Sequence, residues 1–342
     1  MSRRLPAEWE QQEFVQLTWP NADTDWAPIL PETIECYKQL AHAIVRFEKL
    51  LIVTRSKAEV EPYISDIDKS KVTIVEAQIN DTWARDHGFI TVIENGKPIV
   101  LDFQFNGWGL KFTSNYDNLI NRKLFATNKC FNSTAIYENH LSTVLEGGSI
   151  ESDGNGTILT TSECLLSPNR NGAQFRPEIE QILKKAFGAK RILWVDHGYL
   201  AGDDTDSHID TLVRLAPNNI ILYVKCVDTK DEHYQQLSLM EHDLHQLRVG
   251  GTNKPYKLVP LPMCTPQYDP IDGHRLPATY ANFLFVNGAV LVPIYNASTD
   301  EDALNIFRQT FPEREIVGID CSVLIRQHGS LHCVTMQYPK VS

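Results

Sequence analysis

The sequence predicts an α/β fold, in which about five strand-strand-helix-strand units form a pseudo-symmetric, five-bladed propeller-like ring. Three observations predict it. Four hairpin-like segments recur along the chain, helices followed by apolar runs come after them, and the two chain ends supply complementary parts of one further unit. Because no linker or low-complexity tract separates the units, we expect a single domain over residues 1–342.

The four hairpins are indicated by apolar runs on either side of a turn rich in asparagine and glycine. The turns are centred on Asn95, Asn155, Asn218 and Asn287, at intervals of roughly 60 to 70 residues. Asparagine and glycine tolerate the positive φ angles of tight hairpins, so each turn is a strong local signal. An open α/β sheet is the alternative architecture, and the hairpins disfavour it because βαβ crossovers do not contain them.

The second half of each unit is a helix followed by a strand. Apolar residues at helical spacing predict helices over 31–47, 177–187, 231–247 and 300–310, followed by strands over 49–53, 191–195, 258–261 and 315–319. The N-terminal run 14–18 and the C-terminal run 331–336 are typical of strands that complete one shared unit. Pairing the two runs would close the ring and remove two exposed sheet edges.

Composition narrows the possible partners. The formal net charge of -11 argues against nucleic acid and favours small cationic molecules. No run approaches the roughly 18 apolar residues that span a bilayer, and the N-terminal segment has no apolar stretch typical of a secretory signal. Seven cysteines without close pairs indicate reduced thiols, a cytoplasmic location and no structural zinc site.

Five chemically reactive residues stand where a polar loop turns into a strand-like apolar run. They are Asp86, Glu146, His208, Asp210 and Cys333. Repeated units would deliver them to one place, and a thiol, an imidazole and three carboxylates together indicate a cysteine hydrolase acting on a cation. Because side chains alternate along a strand, we expect His208 and Asp210 to share one face of an extended segment.

Plainer interpretations exist for the same residues. A lone cysteine is usually a buried, inert residue, and this interpretation holds for Cys36, Cys130, Cys164, Cys226, Cys264 and Cys321. Cys333 differs because its neighbourhood is polar and contains a glycine. Asp86 could simply pair with Arg85. The acidic turn 202–207 lacks the length and terminal glutamate of a calcium-binding EF-hand loop.

Seven motifs along nearly the whole chain resemble those of the agmatine deiminases, in the same order. They are LPAEWE at 5–10, DTWARD at 81–86, FNGWG at 105–109, EGGSI at 146–150, TTSECLLSPNRN at 160–171, GDDTDSHID at 202–210 and GSLHCVT at 329–335. This resemblance implies the five-bladed pentein fold of the guanidine-modifying enzymes, in agreement with the ring predicted from the repeats. Bacterial-type peptidylarginine deiminases are close cousins of this family.

The resemblance also implies a reaction, the hydrolysis of agmatine to N-carbamoylputrescine and ammonia in polyamine metabolism. It makes Cys333 the nucleophile, His208 the acid and base, and Glu146 the residue that orients His208. It assigns the guanidinium to Asp86 and Asp210, and the remainder of the substrate to Trp83, Trp108 and Asp204. No metal or cofactor is implied, and a homodimer is expected by analogy.

Two departures and three alternatives remain. Ser207 stands where the family usually has glycine, and the region after Trp108 is less typical. An arginine or peptidylarginine deiminase would use the same reactive residues. A Cys-His protease would cleave peptide bonds instead of releasing ammonia, and a non-catalytic propeller that only binds partners would be expected to lack part of the reactive set.

Overall fold

The computed structural model describes residues 3–127, 129–131 and 134–341. Its strands are β1 (Gln12–Thr18), β2 (Lys49–Thr54), β3 (Val72–Glu76), β4 (Ile90–Glu94), β5 (Lys97–Gln104), β6 (Ile136–Val144), β7 (Ile150–Ser152), β8 (Thr157–Thr161), β9 (Arg191–Val195), β10 (Val213–Ala216), β11 (Ile220–Lys225), β12 (Lys257–Pro262), β13 (Leu284–Val286), β14 (Ala289–Ile294), β15 (Glu315–Asp320) and β16 (Thr335–Pro339). They form five separate small sheets, one for each blade of the expected pentein ring.

The five longer helices each connect two parallel strands of one blade. They are α1 (Leu30–Val45), α2 (Asp117–Thr127), α3 (Arg176–Phe187), α4 (Tyr234–Gln246) and α5 (Asp300–Thr310). Short helices cover Ala84–His87, Gly107–Leu110, Ser162–Leu165 and Pro168–Asn171. Single turns of 3₁₀ helix cover Ala27–Ile29, Lys57–Glu59, Glu61–Tyr63, Lys69–Lys71, Gly147–Ser149, Ile209–Thr211, Pro217–Asn219 and Leu324–Gln327. The predicted helix over 300–310 and strand over 191–195 have the predicted bounds, and the other predicted helices differ from the observed ones by up to three residues at an end.

Blades 2 to 5 share one topology. In each, a hairpin of two antiparallel strands is followed by a helix and a third strand that pairs parallel to the second, as in β4, β5 and β6. All four predicted hairpins are present. The turns use positive φ angles; in the first hairpin, φ is 51° at Asn95 and 73° at Gly96. Local turn chemistry therefore determines where each blade begins.

Blade 1 closes the ring with both ends of the chain. Strand β16 pairs antiparallel with β1, placing Phe14 opposite Tyr338 and Leu17 opposite Thr335. Strands β2 and β3 continue the sheet in parallel. Closure was predicted, but the fourth strand β3 was not. The predicted C-terminal strand was wrong at its start, because residues 331–334 form a turn and β16 begins at Thr335.

Apolar side chains fill the blades, whereas buried charges occupy the place where the first strands of different blades meet. Arg214 on β10 bonds Glu151 on β7 and Glu8 from the N-terminal segment. Its donors also reach the carbonyl oxygen of Ala281, before blade 5. A buried guanidinium satisfied by several blades at once ties them together. Among the helices that the structure describes, none is both long enough and apolar enough to cross a membrane.

Candidate active site

The predicted reactive residues lie at equivalent positions in four blades, in or directly before a short turn that leads to the first strand. Asp86 lies in the short helix before β4, Glu146 directly before the turn that leads to β7, and Asp210 in the turn before β10. Cys333 lies in the turn before β16. We call these segments the joints. The repeated placement expected from the sequence is therefore present.

Gly148 shows how closely the joints approach one another. A Cβ atom added to it would lie 2.7 Å from His208 Nδ1, 2.9 Å from Asp86 Oδ1 and 3.1 Å from Asp210 Oδ2. Only glycine leaves room for these three side chains to converge. The expectation that His208 and Asp210 share a face of an extended strand is wrong, because residues 209–211 form a 3₁₀ turn and β10 begins at Val213. The turn brings both side chains into the site.

Cys333 is buried and is held by a side chain that the sequence interpretation missed. Its backbone N–H and its Sγ lie 3.3 Å and 3.4 Å from Asn282 Oδ1, the amide oxygen that also accepts from the backbone N–H of His332. Asn282 stands just before β13, so it is the contribution of the fifth joint. The position of Asn282 directly before an apolar run is the sequence signal that could have identified it. Burial and the charges of Asp210 and Asp86 raise the pKa of the Cys333 thiol well above its ordinary value.

Asp86 is fixed by two hydrogen bonds. Its Oδ2 accepts from the indole N–H of Trp108 at 3.0 Å, and its Oδ1 accepts from the backbone N–H of Gly148 at 3.0 Å. Burial and the nearby charges of Asp210 and Glu146 raise its pKa, against the attraction of His208. Trp108 therefore contacts a guanidinium-binding candidate directly, an arrangement that motif spacing did not predict.

Asp210 has a different environment. Its Oδ2 lies 2.7 Å from His332 Nδ1, while its buried Oδ1 has no hydrogen-bond partner among the described residues. Burial would raise the pKa of Asp210, but the hydrogen bond and charge of His332 lower it below its ordinary value. Asp210 is thus an ionised carboxylate with one oxygen free to accept a hydrogen bond from a ligand.

His208 is surrounded by negative groups. Its Nδ1 lies 3.8 Å from Asp86 Oδ1, and its Nε2 has no hydrogen-bond partner in the part of the chain that the structure describes. Burial opposes protonation, but Asp86, Cys164 and Glu146 together raise the pKa of His208 well above its ordinary value. The imidazole is therefore held in its protonated form, ready to donate from Nε2.

Glu146 acts on His208 by its charge, whereas its hydrogen bonds go elsewhere. Both of its oxygens accept from Arg170 Nε, at 2.9 Å and 3.0 Å, with both side chains fully buried. In the sequence, Arg170 appeared only within the motif TTSECLLSPNRN at 160–171, with no role assigned to it. Cys164, treated as an inert core cysteine, has its sulfur in the same cluster as His208 and Glu146.

A cavity of about 410 Å³ leads from solvent to these groups, and we call it the reactive pocket. Its lining includes Asp25, Asp81, Trp83, Asp86, Trp108, Asp204 and Cys333. The three candidates for binding the remainder of the substrate, Trp83, Trp108 and Asp204, therefore line the pocket that contains the thiol. Burial raises the pKa of Asp81 and of Asp204 to about 6, so both carboxylates remain largely ionised at neutral pH.

Among the described residues, three groups of side chains could each offer three donor atoms to a metal. They are Glu146, Cys164 and His208; Glu8, Glu151 and His332; and Asp269, Asp272 and His274. In the first two groups, arginines already bond the carboxylates, through Arg170 and Arg214 respectively. A cation entering either group would have to displace or oppose an arginine.

Comparison with known proteins agrees with this fold. The model of the Porphyromonas-type peptidyl-arginine deiminases matches residues 4–339. An agmatine deiminase of Stutzerimonas stutzeri (strain A1501) is 31% identical, covering 98% of this chain and 95% of the relative. A Porphyromonas gingivalis protein provisionally described as an arginine deiminase is 49% identical with a TM-score of 0.94, covering 99% of both chains. The C. jejuni agmatine deiminase, solved as a Cys-to-Ser variant with substrate bound, is 38% identical with a TM-score of 0.91, covering 99% of this chain and 97% of that one.

Fold and site thus define a guanidine-modifying enzyme of the pentein class. The chain belongs to the Porphyromonas-type peptidyl-arginine deiminase family, which its match over residues 4–339 shows. It is an enzyme that acts on the C–N bond of a guanidino group.

Proposed function

We propose that this protein hydrolyses agmatine to N-carbamoylputrescine and ammonia, through a covalent amidino-cysteine intermediate on Cys333. One observation carries the proposal. Two buried carboxylates, Asp86 and Asp210, converge on the site that holds the buried thiol. A guanidinium is planar, permanently charged and rich in paired N–H donors, so two facing carboxylates suit it better than any neutral group.

Substrate binding would change the electrostatics of the pocket. Asp86 and Asp210 repel one another and hold the Cys333 proton in place. A guanidinium between them supplies the missing positive charge, because buried carboxylates are stable only when paired. The same charge lowers the pKa of the thiol, so the substrate itself promotes loss of the thiol proton to solvent and formation of the thiolate nucleophile.

In the first half-reaction, the Cys333 thiolate forms a C–S bond to the guanidinium carbon, giving a neutral tetrahedral adduct. Protonated His208 gives its proton to one nitrogen of the adduct, and the C–N bond breaks to release ammonia. A positively charged amidino-cysteine remains, with the substrate's carbon chain still attached. The raised pKa of His208 suits it to this role as an acid.

In the second half-reaction, neutral His208 takes a proton from water while the water oxygen attacks the amidino carbon. The C–S bond then breaks, which returns the thiolate and leaves the ureido product. The remaining proton joins ammonia to give ammonium. The charges of Glu146 and Asp86 would hold the proton taken from water on His208 for the next turnover.

The acidic mouth of the pocket favours agmatine over arginine. Agmatine ends in an ammonium, which would be attracted by the carboxylates of Asp25, Asp81 and Asp204. The carboxylate of free arginine would meet the same negative groups. Lys111, a nearby cation, is engaged by the Asp206 carboxylate and the Asp204 carbonyl oxygen.

Ammonia release from agmatine, free arginine and an arginyl peptide, each at the same concentration, tests the substrate. We expect agmatine to give the highest kcat/KM. A preference for the peptide would instead make the chain a peptidylarginine deiminase, and peptide-bond cleavage without ammonia would indicate a protease.

The nucleophile is tested with Cys333→Ser. Because a serine hydroxyl keeps its proton at neutral pH, we expect the variant to lose at least about 1000-fold in kcat while still binding agmatine. Cys226→Ser is a matched control, since that buried thiol lies at the end of β11, outside the reactive pocket. Near-normal turnover by Cys333→Ser would exclude the covalent mechanism.

A further inference from the structure

A second cavity, of about 630 Å³, lies between the first strands of blades 1, 2 and 3, and we call it the back cavity. Its charged and polar lining includes Glu8, Gln12, Arg85, Thr91, Glu151 and His332. None of these residues lines the reactive pocket. The back cavity is therefore separate from the reactive pocket, through whose mouth a substrate would bind.

The back cavity and the reactive groups are lined by residues that are next to each other in the chain. At three joints, one residue of a neighbouring pair lines the back cavity and the other faces the reactive side. The pairs are Arg85 and Asp86, Gly147 and Gly148, and His332 and Cys333. A path between the two cavities would thus need to pass a single layer of side chains.

Four buried polar atoms on residues that line the back cavity have no hydrogen-bond partner among the described residues. They are Gln12 Oε1, Arg85 Nη2, Thr91 Oγ1 and Gln337 Oε1. Buried polar groups in proteins are nearly always satisfied, by protein or by water. This set mixes donors with acceptors, which matches a cluster of water molecules rather than an ion of either sign.

The layer between the cavities is tightly bonded except at one side chain. Glu8 Oε2 lies 2.6 Å from His332 Nε2 and accepts from Arg214 Nη2 at 3.0 Å. The side chain of Arg85 has no short bond to oxygen: its Nε lies 3.4 Å from the carbonyl oxygen of His332 and its Nη2 3.8 Å from Glu8 Oε2, while its Nη1 donates to Met336 Sδ at 3.5 Å. Arg85 is therefore the member of the layer that can shift at the lowest cost.

The chemistry needs a second route. Under the proposed function, the substrate's carbon chain stays attached to Cys333 and fills the reactive pocket after the C–N bond has broken. Ammonia must then leave, and a water molecule must reach the amidino carbon, before the C–S bond can break. We propose that the back cavity holds water and exchanges ammonia and water with the intermediate on Cys333, past Arg85. This inference rests on the proposed function.

Two substitutions at Thr91 separate filling of the cavity from loss of a polar group. Thr91 lines the back cavity, and its buried hydroxyl has no hydrogen-bond partner in the described part of the chain, so neither variant breaks a described hydrogen bond. Thr91→Met extends a longer side chain into the cavity, whereas Thr91→Val keeps the shape and removes only the hydroxyl. Both should bind substrate as the wild type does, since Thr91 does not line the reactive pocket.

The measurements are kcat, KM and the fraction of Cys333 carrying the adduct, determined by mass spectrometry of acid-quenched enzyme during turnover. For Thr91→Met we expect kcat to fall about ten-fold, with KM falling or unchanged and the adduct fraction rising. Thr91→Val should match the wild type. Should Thr91→Met fail to fold, Gln337→Phe places a second bulky group in the same cavity.

The outcomes separate this inference from the proposed function. The comparison uses whichever of agmatine, arginine or an arginyl peptide releases ammonia. Turnover by the wild type with equal adduct fractions in Thr91→Met and Thr91→Val would overturn the back-cavity route alone. Release of ammonia from none of the three substrates would overturn the proposed function and this inference together.

Discussion

At the scale of single residues, Asp86 and Asp210 lie in opposite electrostatic environments. Asp210 is held ionised by His332, while burial and neighbouring carboxylates raise the pKa of Asp86. The same negative field keeps the proton on Cys333 and on His208. Without substrate the site therefore holds a protonated thiol and a protonated imidazole, and under the proposed function the arriving guanidinium would complete the charge balance.

This arrangement predicts how activity depends on pH. The free enzyme has a raised thiol pKa, so kcat/KM should rise with pH until the thiol loses its proton in the alkaline range. In the complex the substrate's charge lowers the thiol pKa, so kcat should reach its plateau at lower pH. Both profiles, measured from about pH 6 to pH 10, check this. A kcat/KM that is already flat near neutrality would mean that the free enzyme holds a thiolate.

Ser207, the residue before His208, stands where the family usually has glycine, and its backbone conformation is one that favours glycine. Ser207 has φ of 58°, a left-handed conformation that glycine adopts without strain. Its hydroxyl makes only 3.3 Å contacts, to Glu163 and to the carbonyl oxygen of Gly198. The conformation therefore persists in spite of the side chain.

Ser207→Gly and Ser207→Ala both remove the hydroxyl, and only the alanine keeps a Cβ in the left-handed conformation. We expect the free energy of unfolding of Ser207→Gly to exceed that of Ser207→Ala by about 1 kcal/mol. Denaturant titration of the two variants measures the difference. Equal stabilities would show that this turn relaxes to another conformation.

At the scale of elements, the joints carry the reactive residues, and the strands that follow them do not. The sequence placed Asp86 and Glu146 correctly before first strands, because the change from polar to apolar residues is a local signal. It located the joints of His208, Asp210 and Cys333 but started the strands that follow them too early. It did not predict that joints are helical turns, since three or four residues show no periodicity. The error for His208 and Asp210 arose from extending β10 backwards into such a turn.

We expect the effect of a glycine-to-alanine substitution on activity to depend on whether the glycine lies at a joint. Gly148→Ala would place a methyl group 2.7 Å from His208 Nδ1, so we expect kcat/KM to fall by at least about 100-fold through displaced groups. Gly288→Ala is the control, since that hairpin glycine has φ of 79° and nothing within 4 Å of an added Cβ.

The control variant Gly288→Ala should lose about 1 kcal/mol of stability and keep its kcat/KM. Steady-state kinetics and thermal unfolding of both variants distinguish a change in the site from general strain. If both variants lost activity in proportion to stability, Gly148 would have no special part in the site.

At the scale of the whole molecule, charge and ring closure act together. The chain carries a formal net charge of -11, and three carboxylates line the mouth of the reactive pocket. A dication such as agmatine would be drawn to this surface, and salt screens that attraction over a Debye length of about 8 Å at physiological ionic strength. Long-range steering changes the rate of encounter and leaves the chemical step alone.

We therefore expect kcat/KM for agmatine to fall several-fold as NaCl rises from about 20 mM to about 500 mM, while kcat stays constant. Asp25→Asn, at the mouth, should show a lower kcat/KM in low salt and a weaker dependence on salt. An unchanged kcat/KM across this range would show that the net charge has no part in substrate capture.

The sequence by itself determined the blades, the order in which they follow one another, and which residues stand at the joints. Turn chemistry and apolar periodicity are properties of neighbouring residues, so they can be recognised without the rest of the chain. The closing of the ring followed as well, because two half-units at the chain ends have no other partner of their own kind.

Only the tertiary structure decided which groups touch. In the structure, Glu146 bonds to Arg170 and Cys333 to Asn282. His332 bonds to both Asp210 and Glu8, and His332 and Glu8 are 324 positions apart in the chain. Contacts of this kind depend on ångström distances between side chains of different blades. Those distances are set by how five blades pack around one centre, and no local pattern in the sequence records them.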